Sequence, residues 1–310
     1  MKILITGGAG YIGSSLIPKL LEKNYKVCVV DNLSFNNGGV LIPYINNSKF
    51  KFIKGDIRDP RIMSDLVHNF EFVIHLAAIV GFPACKKDPG LTQSVNVNST
   101  KLLSSLLSKD QGVFYASTPS NYGDVSVDIC DEETPLNPNS LYGETKTEAE
   151  KIMLNENSAT AYRFSTAFGV SPKMRLDLLV NDFVYQAFSN KSLIMFERKF
   201  QRSFIHVSDM VRGILFSIEN FDKMQGEVYN LGGDINNFNK EEVALMIKDK
   251  IDYYLHFAEI NKDEEKRDYR TSYKKINKLG FEIKTTLSQG IDELIRVMPL
   301  LENPNIYKNA

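Results

Sequence analysis

The chain has 310 residues, 43% of them hydrophobic, with 37 basic against 38 acidic side chains and a formal net charge of −1. This is enough apolar sequence for a substantial core, and the charge balance excludes a nucleic-acid surface or an anionic membrane as the general partner. Cys28, Cys85 and Cys130 are widely spaced, which suits a reducing compartment rather than a disulfide framework, and neither they nor His68, His75, His206 and His256 have metal-ligand spacing. No apolar run approaches the roughly 20 residues of a transmembrane helix. Glycines follow Thr6 where the apolar region of a signal peptide would continue, so a cytoplasmic protein is expected.

The first element is a short β-branched strand, Lys2 to Ile5, running into TGGAGYIG at Thr6 to Gly13 and an amphipathic helix, Tyr11 to Glu22. A helix N-terminus set at a strand end binds anions, because its first-turn N–H groups are unpaired and its dipole adds partial positive charge. Gly7 permits the tight turn, Gly10 lets a pyrophosphate approach the backbone, and Gly13 lets the helix lie close to the sheet; Tyr11 and Ile12 complete the cradle. The second strand, Lys26 to Val30, ends on Asp31 and Asn32. A carboxylate at that tip accepts hydrogen bonds from both ribose hydroxyls and repels a 2′-phosphate, which favours NAD over NADP.

The third strand, Phe50 to Lys54, leads to Asp56 and Ile57. Two roles stand level for this acid: bonding an adenine amino group, with the isoleucine over the ring, or capping the next helix. The fourth strand, Phe72 to Ala78, presents Leu76, Ala77 and Ala78 at its carboxyl end, the edge at which doubly wound sheets bind ligands. Leu91 to Ser108 has the apolar spacing of one long helix, with Val95, Leu102, Leu103 and Leu106 on or near one face. A fifth strand, Gly112 to Ser117, is followed by Thr118 and a loop rich in Pro, Ser, Asn and Gly, a helix from Leu141 to Asn155, and a strand from Thr160 to Phe164.

Beyond Gly169 the alternation weakens. Helical patterns cover Asp177 to Ser189, Ser208 to Asn220, Asn239 to Ile251 and Leu287 to Leu301, with short strands at Leu193 to Phe196, Ser203 to Val207 and Glu227 to Leu231. The charge-dense segment Asn261 to Lys278 reads as mostly solvated surface. The pattern predicts an α/β fold: a Rossmann-like doubly wound parallel sheet over residues 1–169, completed by segments near 203–207 and 227–231, and a smaller C-terminal substrate-binding domain over residues 170–310.

Tyr142 and Lys146 are four residues apart on a predicted helix, which stacks phenol and ammonium on one face. Alone, such a pair is common on exposed helices. Beside an oxidised nicotinamide it has a use: both positive charges favour the phenolate, which then removes a hydroxyl proton while the carbon bearing it gives up hydride. Thr118 would hydrogen-bond the same oxygen, and Lys146 would also bond the nicotinamide ribose.

Taken together, TGGAGYIG, HLAA at His75 to Ala78, PNSLYGETK at Pro138 to Lys146, Arg163, and RSFIHVSD at Arg202 to Asp209 resemble the extended short-chain dehydrogenase/reductase family, NAD-dependent epimerases and dehydratases of nucleotide sugars. The resemblance covers essentially the full length. It implies Thr118, Tyr142 and Lys146 as catalytic residues, Arg202 and, more loosely, Arg267 as the grip on the substrate pyrophosphate, and a homodimer or higher oligomer through the helices at Leu91 to Ser108 and Leu141 to Asn155.

The 4,6-dehydratases of that family carry Thr-Asp-Glu where this chain has Thr118-Pro119-Ser120, so elimination of water lacks its acid and base. Oxidation at C4 lacks nothing. Two outcomes stay open, release of the 4-keto sugar or its reduction on the other face, as in a redox-neutral 4-epimerase. IVGFPACKKDP, SPKMRLDLLVNDF and IENFDKM resemble the branch of GDP-D-glycero-D-manno-heptose 4-dehydrogenases of bacterial capsule pathways. That branch implies a GDP-linked sugar, tightly held NAD or NADH, 2-oxoglutarate as reoxidant, and Arg175 and Asn181 in a stretch that touches substrate or serves the helix surface. A non-catalytic NAD-sensing protein on the same fold is the reading from another class; such proteins typically lose the tyrosine or lysine kept here.

Overall fold

The computed structural model describes residues 1–156, 158–258, 269–301 and 304–309. In chain order the strands are β1 (Lys2–Thr6), β2 (Lys26–Asp31), β3 (Phe50–Lys54), β4 (Phe72–His75), β5 (Gly112–Ser117), β6 (Ile129–Cys130), β7 (Ala159–Phe164), β8 (Thr166–Phe168), β9 (Ser192–Met195), β10 (Gln201–His206), β11 (Val228–Leu231), β12 (Asn237–Asn239), β13 (Tyr254–Phe257) and β14 (Arg270–Thr271). Seven of them form one parallel sheet in the order β11-β7-β5-β4-β1-β2-β3. All four residues of β4 and all six of β7 are buried. Strands covered on both faces favour apolar side chains without alternation, and the polar exceptions here, His75 on β4 and Thr160 and Arg163 on β7, are buried.

Eight helices matter for the site: α1 (Tyr11–Glu22), α2 (Pro60–Val67), α3 (Phe82–Lys87), α4 (Pro89–Gln93), α5 (Ser99–Leu106), α6 (Leu141–Glu156), α7 (Leu179–Tyr185) and α8 (Val207–Glu219). Successive strand residues point to opposite faces, so Ile3, Ile5, Val27 and Val29 pack under α1 and α8 with Leu16, Ile17, Leu20, Met210 and Ile214. Leu4, Cys28, Val30 and Val113 face the other way, against Met63, Leu103, Ala149 and Met153 of α2, α5 and α6. A second core, built from Phe168, Leu176, Val180, Phe204, Val243, Ile291 and Leu294, lies in the C-terminal part.

The structure corrects three expectations. Residues 203–207 do not complete the large sheet: β10 pairs parallel with β8 and antiparallel with β12 in a separate three-stranded sheet, and β11 takes the edge beside β7. The fourth strand stops at His75, because the Ala77 N–H turns to the Thr6 hydroxyl at 3.3 Å and the Ile79 N–H to the Asn96 side chain at 2.8 Å. The long helix over 91–108 is interrupted by a π turn, Ser94–Asn98, between α4 and α5. That turn carries Asn96, whose amide also donates to Ile79 O at 3.0 Å and Thr145 Oγ1 at 3.2 Å; π turns inside helices recur at functional sites.

Asp209, fully buried on α8, accepts the backbone N–H groups of Lys284 and Thr285 at 3.0 and 2.8 Å and pairs with Arg212, which ties the C-terminal segment to the sheet. Asp209→Ala is expected to lower stability by about 1–3 kcal/mol by leaving those donors unpaired; a urea denaturation midpoint identical to wild type would contradict this. At the turn after β1, Gly7 has φ of +70° and a Cβ there would lie 2.7 Å from the Ala77 backbone. Gly7→Ala is expected to weaken NAD binding by about five- to 150-fold, since strain of about 1–3 kcal/mol falls on the turn itself, and isothermal titration of the two proteins measures it.

Candidate active site

The glycine turn sits at the carboxyl end of β1, between β2 and β4. Gly7 N–H donates to Val30 O at 2.9 Å and Leu76 N–H to Thr6 O at 3.1 Å. Gly10 is the N-cap of α1 and no side chain caps that helix. Its first-turn amides, at Tyr11, Ile12 and Gly13, therefore have no intrahelical acceptor. Among the described residues beyond its chain neighbours, Gly7 O at 3.2 Å is the one atom within 4 Å of the place a Cβ on Gly10 would occupy. An open backbone cradle of unpaired donors at a helix start suits a pyrophosphate.

Asp31 closes the cradle on the β2 side. One oxygen accepts from Ala9 N–H at 3.0 Å and the other from Leu33 N–H at 2.9 Å, which leaves lone pairs for ribose hydroxyls; burial pushes its carboxyl above the usual range. Asn37, which sequence reasoning passed over as a loop residue, donates to Ala9 O at 2.7 Å and so fixes the same peptide from the other side. Asn32 is exposed and lies 3.4 Å from Asp56.

Asp56 does not cap α2; Asp59 does, accepting from Arg61 N–H. Instead Asp56 holds Arg58 through two hydrogen bonds of 2.9 and 2.7 Å, and its carboxyl is lowered to about 2 chiefly by that guanidinium. Ile57 is buried in the core beside Leu4, Cys28 and Val30, while Leu76, Ala77 and Ala78 stay half-buried at the sheet edge.

Thr118 directly follows β5 and caps a short 3-10 turn, Pro119–Asn121, accepting from Ser120 N–H at 3.2 Å. α6 lies on this turn. A Cβ at Gly143 would come within 2.7 Å of Ser120 O, so the residue after Tyr142 must be glycine for helix and turn to touch. Thr118, Tyr142 and Lys146 are buried to 5, 8 and 4% exposure. Tyr269 fixes the turn from a fourth side by donating to Pro119 O.

Lys146 extends over the Tyr115 ring, with Nζ 4.1 Å from its centroid. Burial pushes its ammonium down to about 7, against the opposing field of Glu150. Glu150 and Arg163 form a fully buried pair at 2.6 Å. Arg163 also donates to Tyr122 Oη at 3.0 Å, and Tyr122 donates to Asn230 Oδ1 at 2.8 Å. The signal for Glu150 was in the sequence, as a carboxylate at the next i+4 step along the Tyr142–Lys146 face.

His75, behind the site, is held neutral by burial, its imidazole down to about 3. Its tautomer follows from its partners. Thr100 donates its hydroxyl to Asn96 O at 2.7 Å and so accepts from His75 Nε2 at 3.1 Å, which leaves Nδ1 to accept from the Thr6 hydroxyl at 2.6 Å. The chain of bonds links the glycine turn to the π turn.

On the substrate side, Arg202 is buried at the start of β10 and donates to Gln201 O at 3.1 Å. The pairing of Phe204 with Thr166 sets it level with the carboxyl end of β7, the edge where Thr118 and the glycine turn lie. Arg175 is occupied by Asp177 through bonds of 3.1 and 2.5 Å. The Asn181 side chain is wholly buried and is taken up by backbone: it accepts from Gly169 N–H at 3.0 Å and donates to Gly169 O and Arg175 O at 3.2 and 2.9 Å. Those bonds, with Tyr11 Oη donating to Gly169 O at 2.8 Å, hold the segment after β8 against α1. Arg267 lies outside the described residues. Among the described residues, no cluster of three His, Cys, Asp or Glu side chains is placed to hold a metal ion, and no helix is long and apolar enough to cross a membrane.

The chain is similar to known proteins over nearly its whole length. The chain is 30% identical to a putative UDP-glucose 4-epimerase of Methanocaldococcus jannaschii, over 96% of this chain and 98% of that one. It is 30% identical to a UDP-glucuronic acid decarboxylase of Arabidopsis thaliana, over 94% and 87%. The crystal structure of a UDP-glucuronic acid 4-epimerase from Bacillus cereus, in complex with UDP-glucuronic acid and NAD, superposes with a TM-score of 0.87 at 26% identity, over 97% of this chain and all of that one. The profile of the NAD dependent epimerase/dehydratase family matches residues 3–232, and the chain belongs to that family.

Proposed function

We infer that the chain is an NAD-dependent enzyme that oxidises the C4 hydroxyl of a nucleotide sugar, with GDP-D-glycero-D-manno-heptose as the substrate, in capsule or surface polysaccharide biosynthesis. Family membership supports the enzyme class and the cofactor. The observation that carries the chemistry is the packing of α6 against the turn after β5, which sets Tyr142 and Lys146 behind Thr118 at the sheet edge that bears the glycine cradle. The heptose, its GDP and the role of 2-oxoglutarate rest on the resemblance of residues 79–89, 171–183 and 218–224 to one branch of the family.

NAD held at the glycine cradle would supply the hydride acceptor. Tyr142 takes the hydroxyl proton, Thr118 donates a hydrogen bond to the same oxygen as it becomes a carbonyl, and Lys146 favours the tyrosine phenolate and bonds the ribose. Arg202, and Arg267 with it, would grip the substrate pyrophosphate. The turn Thr118-Pro119-Ser120 offers no carboxylate for elimination of water. A redox-neutral 4-epimerase uses the same residues and is the second reading, favoured by the identity to the archaeal 4-epimerase. A dimer through α5 and α6 would bring together outward faces that carry Lys101, Glu144, Glu148 and Lys151, with Lys101 already paired to Glu148 at 2.7 Å; charge pairing rather than apolar burial would then hold it.

Tyr142→Phe is expected to bind NAD as wild type does and to lose nearly all turnover; unchanged turnover would sink the mechanism. The two readings separate on the near-ultraviolet band of reduced nicotinamide. A rise on adding GDP-heptose that decays with 2-oxoglutarate, with a 4-keto product, supports the dehydrogenase. An epimer formed with no lasting reduced cofactor makes the chain an epimerase.

A further inference from the structure

Tyr142, Lys146 and Glu150 follow one another at four-residue steps and so line one face of α6. Glu150 is 2% exposed. One of its oxygens accepts from Ser117 Oγ at 2.5 Å, Asn121 Nδ2 at 3.0 Å and Arg163 Nε at 3.1 Å, and the other from Arg163 Nη2 at 2.6 Å. Ser117 and Asn121 bracket Thr118: one precedes it and the other ends its turn. The carboxylate therefore fastens both ends of the Thr118 turn to the helix that carries the base and the lysine.

We propose that Glu150 is a positioning residue for the reaction, its carboxylate setting Thr118 against Tyr142 and placing a negative charge one helical turn from Lys146. The reading rests on the catalytic roles given above to Thr118, Tyr142 and Lys146. Among the described residues that face Lys146, Cys85 pulls the ammonium the same way but less than Glu150 does. His75 on β4 is neutral, the Cys85 thiol on α3 donates to Ile79 O at 3.5 Å, and the Tyr115 hydroxyl on β5 is kept protonated by burial. Arg163 on β7 works in the opposite sense, since it shares the Glu150 carboxylate, and Tyr122 in turn engages Arg163. Among the described residues Glu150 is the one carboxylate whose field reaches Lys146, and it pulls that ammonium upward against desolvation.

The sign of the effect follows. Without the Glu150 charge, Lys146 loses its proton at a lower pH, so near neutrality the phenolate of Tyr142 loses the ammonium one helical turn away and forms only at higher pH. The test is a pH titration of the tyrosinate absorbance of the NAD-bound full chain, with Tyr142→Phe as the blank, run on wild type, Glu150→Gln and Ser117→Ala. Glu150→Gln is expected to move the Tyr142 midpoint up by about one pH unit, a tenfold smaller phenolate fraction on the acid side, while Ser117→Ala, which keeps the charge, leaves it in place. An unmoved midpoint in Glu150→Gln overturns the proposal and leaves Glu150 a purely structural residue.

If Glu150→Gln does not fold, the double variant Glu150→Gln/Arg163→Met removes both buried charges, a change that proteins often accept. A smaller upward shift is expected there, and no shift again overturns the proposal. The titration needs no substrate. Should wild type fail to oxidise GDP-heptose, UDP-glucose or UDP-glucuronic acid, the proposed function fails while the midpoints still decide the part played by Glu150.

Discussion

Three charges buried in a row between α6 and the sheet constrain this molecule more than any other feature. Lys146, Glu150 and Arg163 are 4, 2 and 3% exposed, and each would be costly to bury without partners. Arg163 and Glu150 satisfy each other, with Ser117, Asn121 and Tyr122 filling the remaining directions. Lys146 is left with an aromatic face below it and the field of Glu150 along the helix. Such an arrangement tolerates little sliding of α6, because any shift strands a charge. The close contact of Gly143 with Ser120 O then becomes a consequence, and the relation of Tyr142 to Thr118 is fixed by the same packing.

Much of this was legible in the sequence, and the reasons differ from residue to residue. The glycine turn, Asp31 and the Tyr142–Lys146 step are local patterns, in which strand, turn and helix follow without interruption, so spacing alone conveys their geometry. β10 was misplaced because an apolar run of strand length does not say which sheet receives it; the choice between joining β7 and joining β8 is made by tertiary pairing. Asn96 was hidden for a related reason. Its helix has good apolar periodicity on both sides of the π turn, and only the side-chain bonds to Ile79 and Thr145 reveal why the register shifts there.

Asn181 shows the limit of carrying a role by resemblance. Its amide is spent on the backbone of Gly169 and Arg175, so what it does in this chain is hold the segment that leaves β8 against α1. Arg175, turned onto Asp177, belongs to the same internal fabric. Through Tyr11 the segment is joined to the helix whose N-terminus forms the cradle.

The same packing bears on the choice among chemistries. A dehydratase needs carboxylates at the two places after Thr118, and here those places are filled by a proline and by Ser120, which is 1% exposed with its carbonyl against Gly143. The position is closed to solvent by the helix that carries the base. Between dehydrogenase and epimerase the buried machinery is silent, because the roles proposed for Tyr142 and Lys146 are common to both. What distinguishes them physically is whether the 4-keto sugar can turn over before it leaves. On the roles proposed above, that is a property of the grip around Arg202 and not of Thr118, Tyr142 and Lys146.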